Sequence, residues 1–463
     1  MEQIINQIIE KMKEENISEL IINNFLRMYK EISLGKTGEI FEKDIFPISK
    51  LNNYKDIQNC EKIGIKNINK IAILKLNGGL GTSMGLNKAK SFLNVKKDLN
   101  FFDIIIKQIE KINQKYDSNI PLLLMNSFST KDDTIEYTKK FENIEIINFL
   151  QNKHPKIFQE DLTLAKHENK DLEWNPPGHG DVYTALENTK ILDKLIEGGI
   201  EYLFISNGDN LGAVYDSSIL GYIIERKVSF LMEVSIRTAQ DIKGGHLARY
   251  KKNNRLLLRE IAQCNKDDLN HFQDINLHKF FNTNSIWVSI IELKKVLELN
   301  DYILKLPLIR NSKNIDPQNK DSKKVYQIET AMGSAIELFK NSECLIIPRK
   351  RFLPIKKTND LLLIKSDLYE LTENFFLENK NNNFNLKINF DENYKLIDDF
   401  KNHFKNIPSL IDCDSFEIKG KFGFKENIVL KGKVSLINET ENEFILKEKI
   451  IDNCIIKIEK NKN

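Results

Sequence analysis

Ile71-Ala72-Ile73-Leu74-Lys75-Leu76-Asn77-Gly78-Gly79-Leu80-Gly81-Thr82-Ser83-Met84-Gly85 joins a short apolar run to a cluster of glycines. An apolar run of that length suits a buried strand better than a helix. Lacking Cβ atoms, the glycines let the backbone approach a ligand closely. Their N–H groups can point at phosphate oxygens. Two common phosphate loops are excluded by spacing. The G-x-G-x-x-G fingerprint needs a glycine where Met84 stands, after Gly79 and Gly81. Lys90-Ser91 could close a G-x-x-x-x-G-K-[ST] pattern, but Met84 and Ala89 occupy its glycine places.

Similar apolar runs recur on either side: Pro121-Leu122-Leu123-Leu124-Met125, Tyr202-Leu203-Phe204-Ile205-Ser206 and Val228-Ser229-Phe230-Leu231-Met232-Glu233-Val234. Between them lie helical patterns, such as Phe102, Ile105, Ile106 and Ile109, then Ile135, Tyr137 and Phe141. This alternation predicts an α/β fold with a largely parallel central sheet. Residues 1 to about 50 read as helical: Ile4, Ile5, Ile8, Ile9 and Met12 keep helical spacing, and Ser18 stands as N-cap of a second helix. From Phe416 onward short alternating strings appear, separated by Gly420, Gly423, Gly432 or polar residues, and predict a small all-β appendage. The expected division is 1–65 helical, 66–375 catalytic and 376–463 β-structured.

At about 100–200 residues per domain, 463 residues make one large domain with smaller ones attached. The 69 basic and 66 acidic side chains leave a formal charge of +3, which points to no nucleic-acid or membrane partner. The start, Met1-Glu2-Gln3-Ile4-Ile5, lacks the basic and apolar regions of a signal peptide. Apolar runs stop well short of the roughly 18 residues a membrane span needs. The five scattered cysteines form no Cys-x-x-Cys pair and read as reduced thiols, so a cytoplasmic location is expected.

Two further stretches carry chemistry. Trp174-Asn175-Pro176-Pro177-Gly178-His179-Gly180-Asp181 sets a His and an Asp in a loop stiffened by prolines. Ser206-Asn207-Gly208-Asp209-Asn210-Leu211-Gly212 puts a carboxylate at the end of a buried strand, a place suited to Mg²⁺. The bland alternative for this stretch is a turn, since Asn-Gly and Asp-Asn favour turns. Taken alone, Gln151 reads as a solvated side chain, although its amide has both the donor and the acceptor that reading a base edge needs. The other six histidines show no ligand spacing.

The Asn77 to Gly85 motif, followed by Lys90-Ser91, resembles the nucleotide-binding signature of UDP-glucose pyrophosphorylases (UTP–glucose-1-phosphate uridylyltransferases). More blocks share the resemblance between about residues 70 and 370. They are Leu124-Met125-Asn126-Ser127-Phe128-Ser129-Thr130, Phe149-Leu150-Gln151, the His179 and Asp209 stretches, Met232-Glu233-Val234 with Arg237, Phe281-Asn282-Thr283-Asn284, Gln327-Ile328-Glu329-Thr330-Ala331-Met332-Gly333, and Arg349-Lys350-Arg351-Phe352-Leu353-Pro354-Ile355-Lys356. Asn87-Lys88-Ala89 stands where the family has Lys-Gly-Pro, leaving Lys88 as the neighbouring cation, and Arg237 stands where it has Lys.

The resemblance implies a nucleotidyltransferase domain of GT-A-like type, with a Rossmann-like mixed, largely parallel central sheet, a helical N-terminal part and a C-terminal β-helix. It implies Mg²⁺-dependent uridylyl transfer from UTP to glucose 1-phosphate, giving UDP-glucose and pyrophosphate. Leu76, Asn77, Gly78, Gly79, Lys90, Gln151, Gly178 and Asp209 would bind the nucleotide, with Asp209 the metal ligand. His179, Asn207, Asn284 and Lys356 would bind the sugar phosphate, with Asn282 next to Asn284 in rank. Lys90 and Lys356 would be catalytic, the stem of Lys356 being packed among Phe, Leu, Pro and Ile. A homo-oligomer through the C-terminal part is a further implication. Two alternatives stay open: transfer to other sugar 1-phosphates, and a non-catalytic UTP-binding regulator.

Overall fold

The computed structural model describes residues 2–381, 384 and 386–460. Its central sheet runs in the order Asn52–Asn53, Ser342–Ile346, Phe230–Ile236, Phe280–Ser289, Tyr202–Asn207, Ile71–Asn77, Leu122–Asn126, Ile146–Leu150. Neighbours pair parallel, except that Phe280–Ser289 lies antiparallel to both of its partners. All four predicted apolar runs are strands of this sheet.

Alternation along the strands feeds two cores, because successive side chains point to opposite faces. Ile71, Ile73, Leu122, Leu124 and Phe204 pack on one face with the helix Phe101–Tyr116. That helix opens on a capping box between Asn100 and Asp103. Ala72, Leu74, Leu123, Met125, Leu203 and Ile205 pack on the other face with the helices Val182–Asn188, Ile191–Glu197 and Ile290–Glu298. Register places Asn207 beside Leu76, Asn77 beside Asn126, and Asn126 beside Leu150. Four parallel strands therefore end level, and their loops leave from one rim, where ligands of open α/β sheets bind.

The N-terminal helices are Glu2–Glu14 and Glu19–Ser33. Ser18 holds the N-cap position, but its hydroxyl donates to Asn188 Oδ1 at 2.7 Å instead of capping its own helix. Helix does not continue to residue 50, as the apolar spacing had suggested. The chain turns extended, and Ile45–Pro47 and Asn52–Asn53 pair with strands of the central sheet. The helix predicted around Tyr137 ends at Thr138, short of Phe141.

In the C-terminal part, Lys387–Phe390, Cys413–Lys419 and Val429–Asn438 pair parallel in turn, and Ile450–Asp452 and Ile455–Ile458 pair parallel with the last of them. Two strings read separately, around Val429 and Val434, form one ten-residue strand. Phe416, Ile418, Val434 and Leu436 are buried inside this stack. Among the described residues no helix is long and apolar enough to cross a membrane, and Cys60, Cys264, Cys344 and Cys454 are free thiols.

Candidate active site

The loop after Asn77 forms the floor of a cavity of about 370 Å³. Leu76, Asn77, Gly78, Gly79, Lys90, Gln151, Gly178, His179, Asn207 and Asp209 line it, ten of the twelve residues singled out from the sequence. Asn77 contributes its backbone, because its side chain is already engaged. Its amide donates to Asn126 Oδ1 (2.7 Å) and Thr134 Oγ1 (3.0 Å), and its oxygen accepts from Ser91 (2.5 Å). This ties the glycine loop to the neighbouring strand and to the residue after Lys90. The Lys90 N–H donates to the Gly79 carbonyl at 3.0 Å, which turns the lysine back over the loop. Lys88 is exposed and does not line the cavity.

Two cross-linked loops make one end. Gln151 Nε2 donates to the Gly178 carbonyl at 2.8 Å, leaving Gln151 Oε1 as an acceptor beside Gly78. Gly178 has φ +79°, and a Cβ there would lie 2.6 Å from the Thr330 carbonyl oxygen. The next residue, His179, accepts the Met332 N–H at Nδ1 (3.0 Å), so its proton sits on Nε2. Burial pushes the imidazole down to about 4. His179 thus presents a neutral N–H donor.

At the opposite wall, Lys90 Nζ lies 2.7 Å from Asp209 Oδ2. Asp209 Oδ1 is buried with no partner. The Asp209 turn is held from below. The Gly208 N–H donates to the Leu76 carbonyl (3.0 Å), and Lys75 Nζ donates to Ser206 (2.7 Å) and to the Ala213 carbonyl (2.6 Å). The Asn210 side chain accepts the Leu353 N–H (2.8 Å) and donates to the Arg351 carbonyl (3.2 Å), joining this turn to the Lys356 segment. Arg351 is buried and pairs with Glu233 through two bonds of 2.6 and 2.9 Å, and Trp287 donates to the same carboxylate. The packed cation of the 349–356 segment is therefore Arg351. Lys356 is exposed, contrary to the expectation of a packed stem.

Asn284 and Lys356 do not line the cavity. Ser285 pairs antiparallel with Ser206, so Asn284 comes next to the Asn207 end of the neighbouring strand. The register against Phe230–Ile236 shifts between Glu233 and Val234, and Thr283-Asn284 bulges out. Asn284 takes φ +55°, which aims its side chain away from the ladder. Asn282 Nδ2 donates to Asn284 Oδ1 at 2.7 Å and also reaches the Glu260 carboxylate. The charge of Lys356 acts on both Glu260 and Asp360, and that of Lys90 also acts on Asp360. Arg237 holds protein instead of facing the cavity: its guanidinium donates to the carbonyls of Phe272, His278, Asp241 and Ile242.

The family model for UTP–glucose-1-phosphate uridylyltransferase matches residues 22–431. The chain belongs to that family. It is 41% identical to the UTP–glucose-1-phosphate uridylyltransferase of Musa acuminata over 441 residues, 93% of this chain and 91% of the relative. It is 43% identical to the protein of that name from Solanum tuberosum over 379 residues, 80% of this chain and 77% of the relative. A crystal structure from Trypanosoma brucei described as UDP-glucose phosphorylase superposes with a TM-score of 0.90 at 40% identity, covering 98% and 99% of the two chains. A mutant Leishmania major UDP-glucose pyrophosphorylase in complex with UDP-glucose superposes with a TM-score of 0.91 at 35% identity, covering 99% of each.

Membership in the uridylyltransferase family makes the chain a nucleotidyltransferase. Five lining residues were not singled out from the sequence: Ser91, Met125, Pro176, Gly208 and Glu329. Each lies inside or next to a motif that was, so adjacency was the available signal. Glu260 gave no such signal. It follows an ordinary strand, Leu256–Arg259, and meets Asn282 only in the fold.

Proposed function

We propose that this chain catalyses reversible transfer of the uridylyl group of UTP to α-D-glucose 1-phosphate, releasing pyrophosphate. The observation that carries this reading is the convergence on one cavity of the glycine loop with Lys90 and Asp209, the Gln151–Gly178 pair, and His179 with Asn207.

An oxygen of the sugar phosphate attacks the α-phosphorus of UTP. The new P–O bond forms as the bond to the bridging oxygen breaks, and pyrophosphate leaves with that electron pair. The attacking oxygen is already anionic, so the protein's work is positioning and charge stabilisation. Backbone N–H groups at Gly78 and Gly79 and the Lys90 ammonium hold the UTP phosphates. Gln151 Oε1 accepts the N3–H of uracil. His179 Nε2–H, Asn207 and Asn284 take the sugar phosphate and hydroxyls, with Glu260 as a further acceptor. Lys356, an exposed cation whose charge reaches Glu260, offsets repulsion between the two substrates.

Mg²⁺ fits this site: Asp209 Oδ1 is a buried carboxylate oxygen without a partner, and Mg²⁺ commonly takes one or two carboxylates and completes its shell with phosphate and water oxygens. When bound there it neutralises phosphate charge.

The catalytic domain in this reading is 66–375 and of GT-A-like type. The parallel stack within 376–463 is a β-helix that supports a homo-oligomer, the helices of 1–65 brace the base end, and the protein works in the cytoplasm. The test is pyrophosphate release from UTP and Mg²⁺ with a panel of sugar 1-phosphates. Preference for glucose 1-phosphate supports the assignment. Equal turnover of galactose or N-acetylglucosamine 1-phosphate sinks the sugar but keeps the reaction, and UTP binding without turnover sinks both.

A further inference from the structure

We propose that Asp181 is a positioning residue that sets the base-reading geometry of Gln151 and Gly178, and so the preference for uracil over cytosine; this rests on the base-reading role given above to Gln151. Asp181 stands at the N-cap of the helix Val182–Asn188, where an aspartate ordinarily accepts from its own helix. Here it makes no such bond. Both carboxylate oxygens reach across to Asn152 instead. Oδ2 accepts the Asn152 N–H at 2.8 Å, and Oδ1 accepts the Asn152 side-chain amide at 2.9 Å.

Asn152 follows Gln151, and Asp181 lies three residues after Gly178. The Gln151–Gly178 bond and the Asn152–Asp181 bonds therefore stitch the same two loops at adjacent levels. Gln151 and Gly178 line the cavity while Asn152 and Asp181 do not. The second pair thus touches no substrate and acts through the first. It fixes the distance between the loops, which decides whether Gln151 spends its amide on Gly178 and keeps Oε1 for the base. Uracil offers a donor at N3 and cytosine an acceptor, so an acceptor held in place selects uracil.

The arrangement is costly in isolation. Asp181 is 3% exposed, its partners are neutral amides, and burial pushes its carboxyl up to about 6. The pair is also anchored outward: Asn188 Nδ2 donates to Asn152 Oδ1 at 3.2 Å, and Ser18 donates to Asn188. The start of the second N-terminal helix is thereby linked to the base end of the cavity.

The test is steady-state kinetics of the full chain with UTP and with CTP. Asp181→Asn should raise the KM for UTP about tenfold and lower the UTP-to-CTP ratio of kcat/KM by a similar factor, with kcat and the KM for glucose 1-phosphate changed by less than about threefold. Asn152→Ala, which keeps the carboxylate and its bond from the backbone N–H while removing the side-chain bonds to Asp181 and Asn188, should move the same quantities less, and it decides the matter by the same criteria if Asp181→Asn does not fold. An unchanged UTP KM, or a loss spread equally over kcat and both substrates with the CTP ratio intact, overturns the proposal. Gln151→Ala is the reference. If it responds while Asp181→Asn is silent, the proposal alone falls; if Gln151→Ala is itself silent, the base-reading role falls and takes the proposal with it.

Discussion

Lys90 Nζ and Asp209 Oδ2 are 2.7 Å apart, so the cation proposed for phosphate and the carboxylate proposed for metal neutralise each other in the free protein. Both are partly exposed to the cavity. Neither is needed to hold the core, and each is available to exchange its partner for a substrate group.

Asp209→Ala should therefore fold normally and lose metal-dependent turnover by at least about a hundredfold, about 2.7 kcal/mol in barrier. Pyrophosphate release across a Mg²⁺ titration measures it. Retention of normal activity removes Asp209 as the metal ligand.

Lys356→Ala should cut turnover by more than about tenfold, over ~1.4 kcal/mol. The side chain is exposed, so the melting temperature should stay put. A drop in melting temperature with full specific activity would contradict the charge-offsetting role.

His179 sets a pH dependence of known sign. In the unfolded chain an imidazole protonates near 6.5, whereas burial pushes it down to about 4 in the fold. Between those values the unfolded state holds more protons. Stability present above pH 6.5 is lost as pH falls toward 4. His179→Gln should flatten that slope in urea unfolding. Nitrogen NMR should find the ring neutral at pH 7 with its proton on Nε2; an imidazolium there would refute the donor assignment.

The two glycines at the cavity should behave oppositely. A Cβ on Gly79 meets nothing within 4 Å, so Gly79→Ala should fold normally and raise the KM for UTP by occupying ligand space. Gly178 combines φ +79° with ψ 172°, a region nearly reserved for glycine, and a Cβ there sits 2.6 Å from a carbonyl oxygen. Gly178→Ala should cost at least about 1–3 kcal/mol of stability, read from denaturant unfolding.

Breaking the buried pair should be worse. Arg351→Met leaves Glu233 uncompensated in the core and should destabilise by about 3–5 kcal/mol. Replacing both partners with apolar residues should recover much of that loss, and a double variant no better than the single would contradict the reasoning.

The strands were legible because Ile71 to Leu74 and Tyr202 to Ile205 are continuous apolar runs, and a strand buried on both faces demands such a run. The glycine loop and the Asp209 turn were legible as loops because Gly, Asn and Asp form turns after buried strands, and as a site through the family motifs they belong to. The Asn152–Asp181 stitch and the Glu260–Asn282 contact were not: they join residues 29 and 22 positions apart, and neither spacing marks a local element. The reversed direction of Phe280–Ser289 was equally hidden, since direction leaves no trace in composition. Arg351 and Lys356 were misweighed because adjacent basic residues look alike until the fold buries one of them.

The bulged, reversed strand has a consequence for engineering. Asn282 and Asn284 stand on that one strand, while Gly78 and Gly79 follow Ile71–Asn77 and Asp209 follows Tyr202–Asn207, two strands parallel to each other. Part of the acceptor contact is thus written on a piece of backbone separate from the glycine loop and Asp209. A library confined to 282–284 should retune which sugar is accepted while leaving the nucleotide half untouched, making this short segment the cheapest place to change the product.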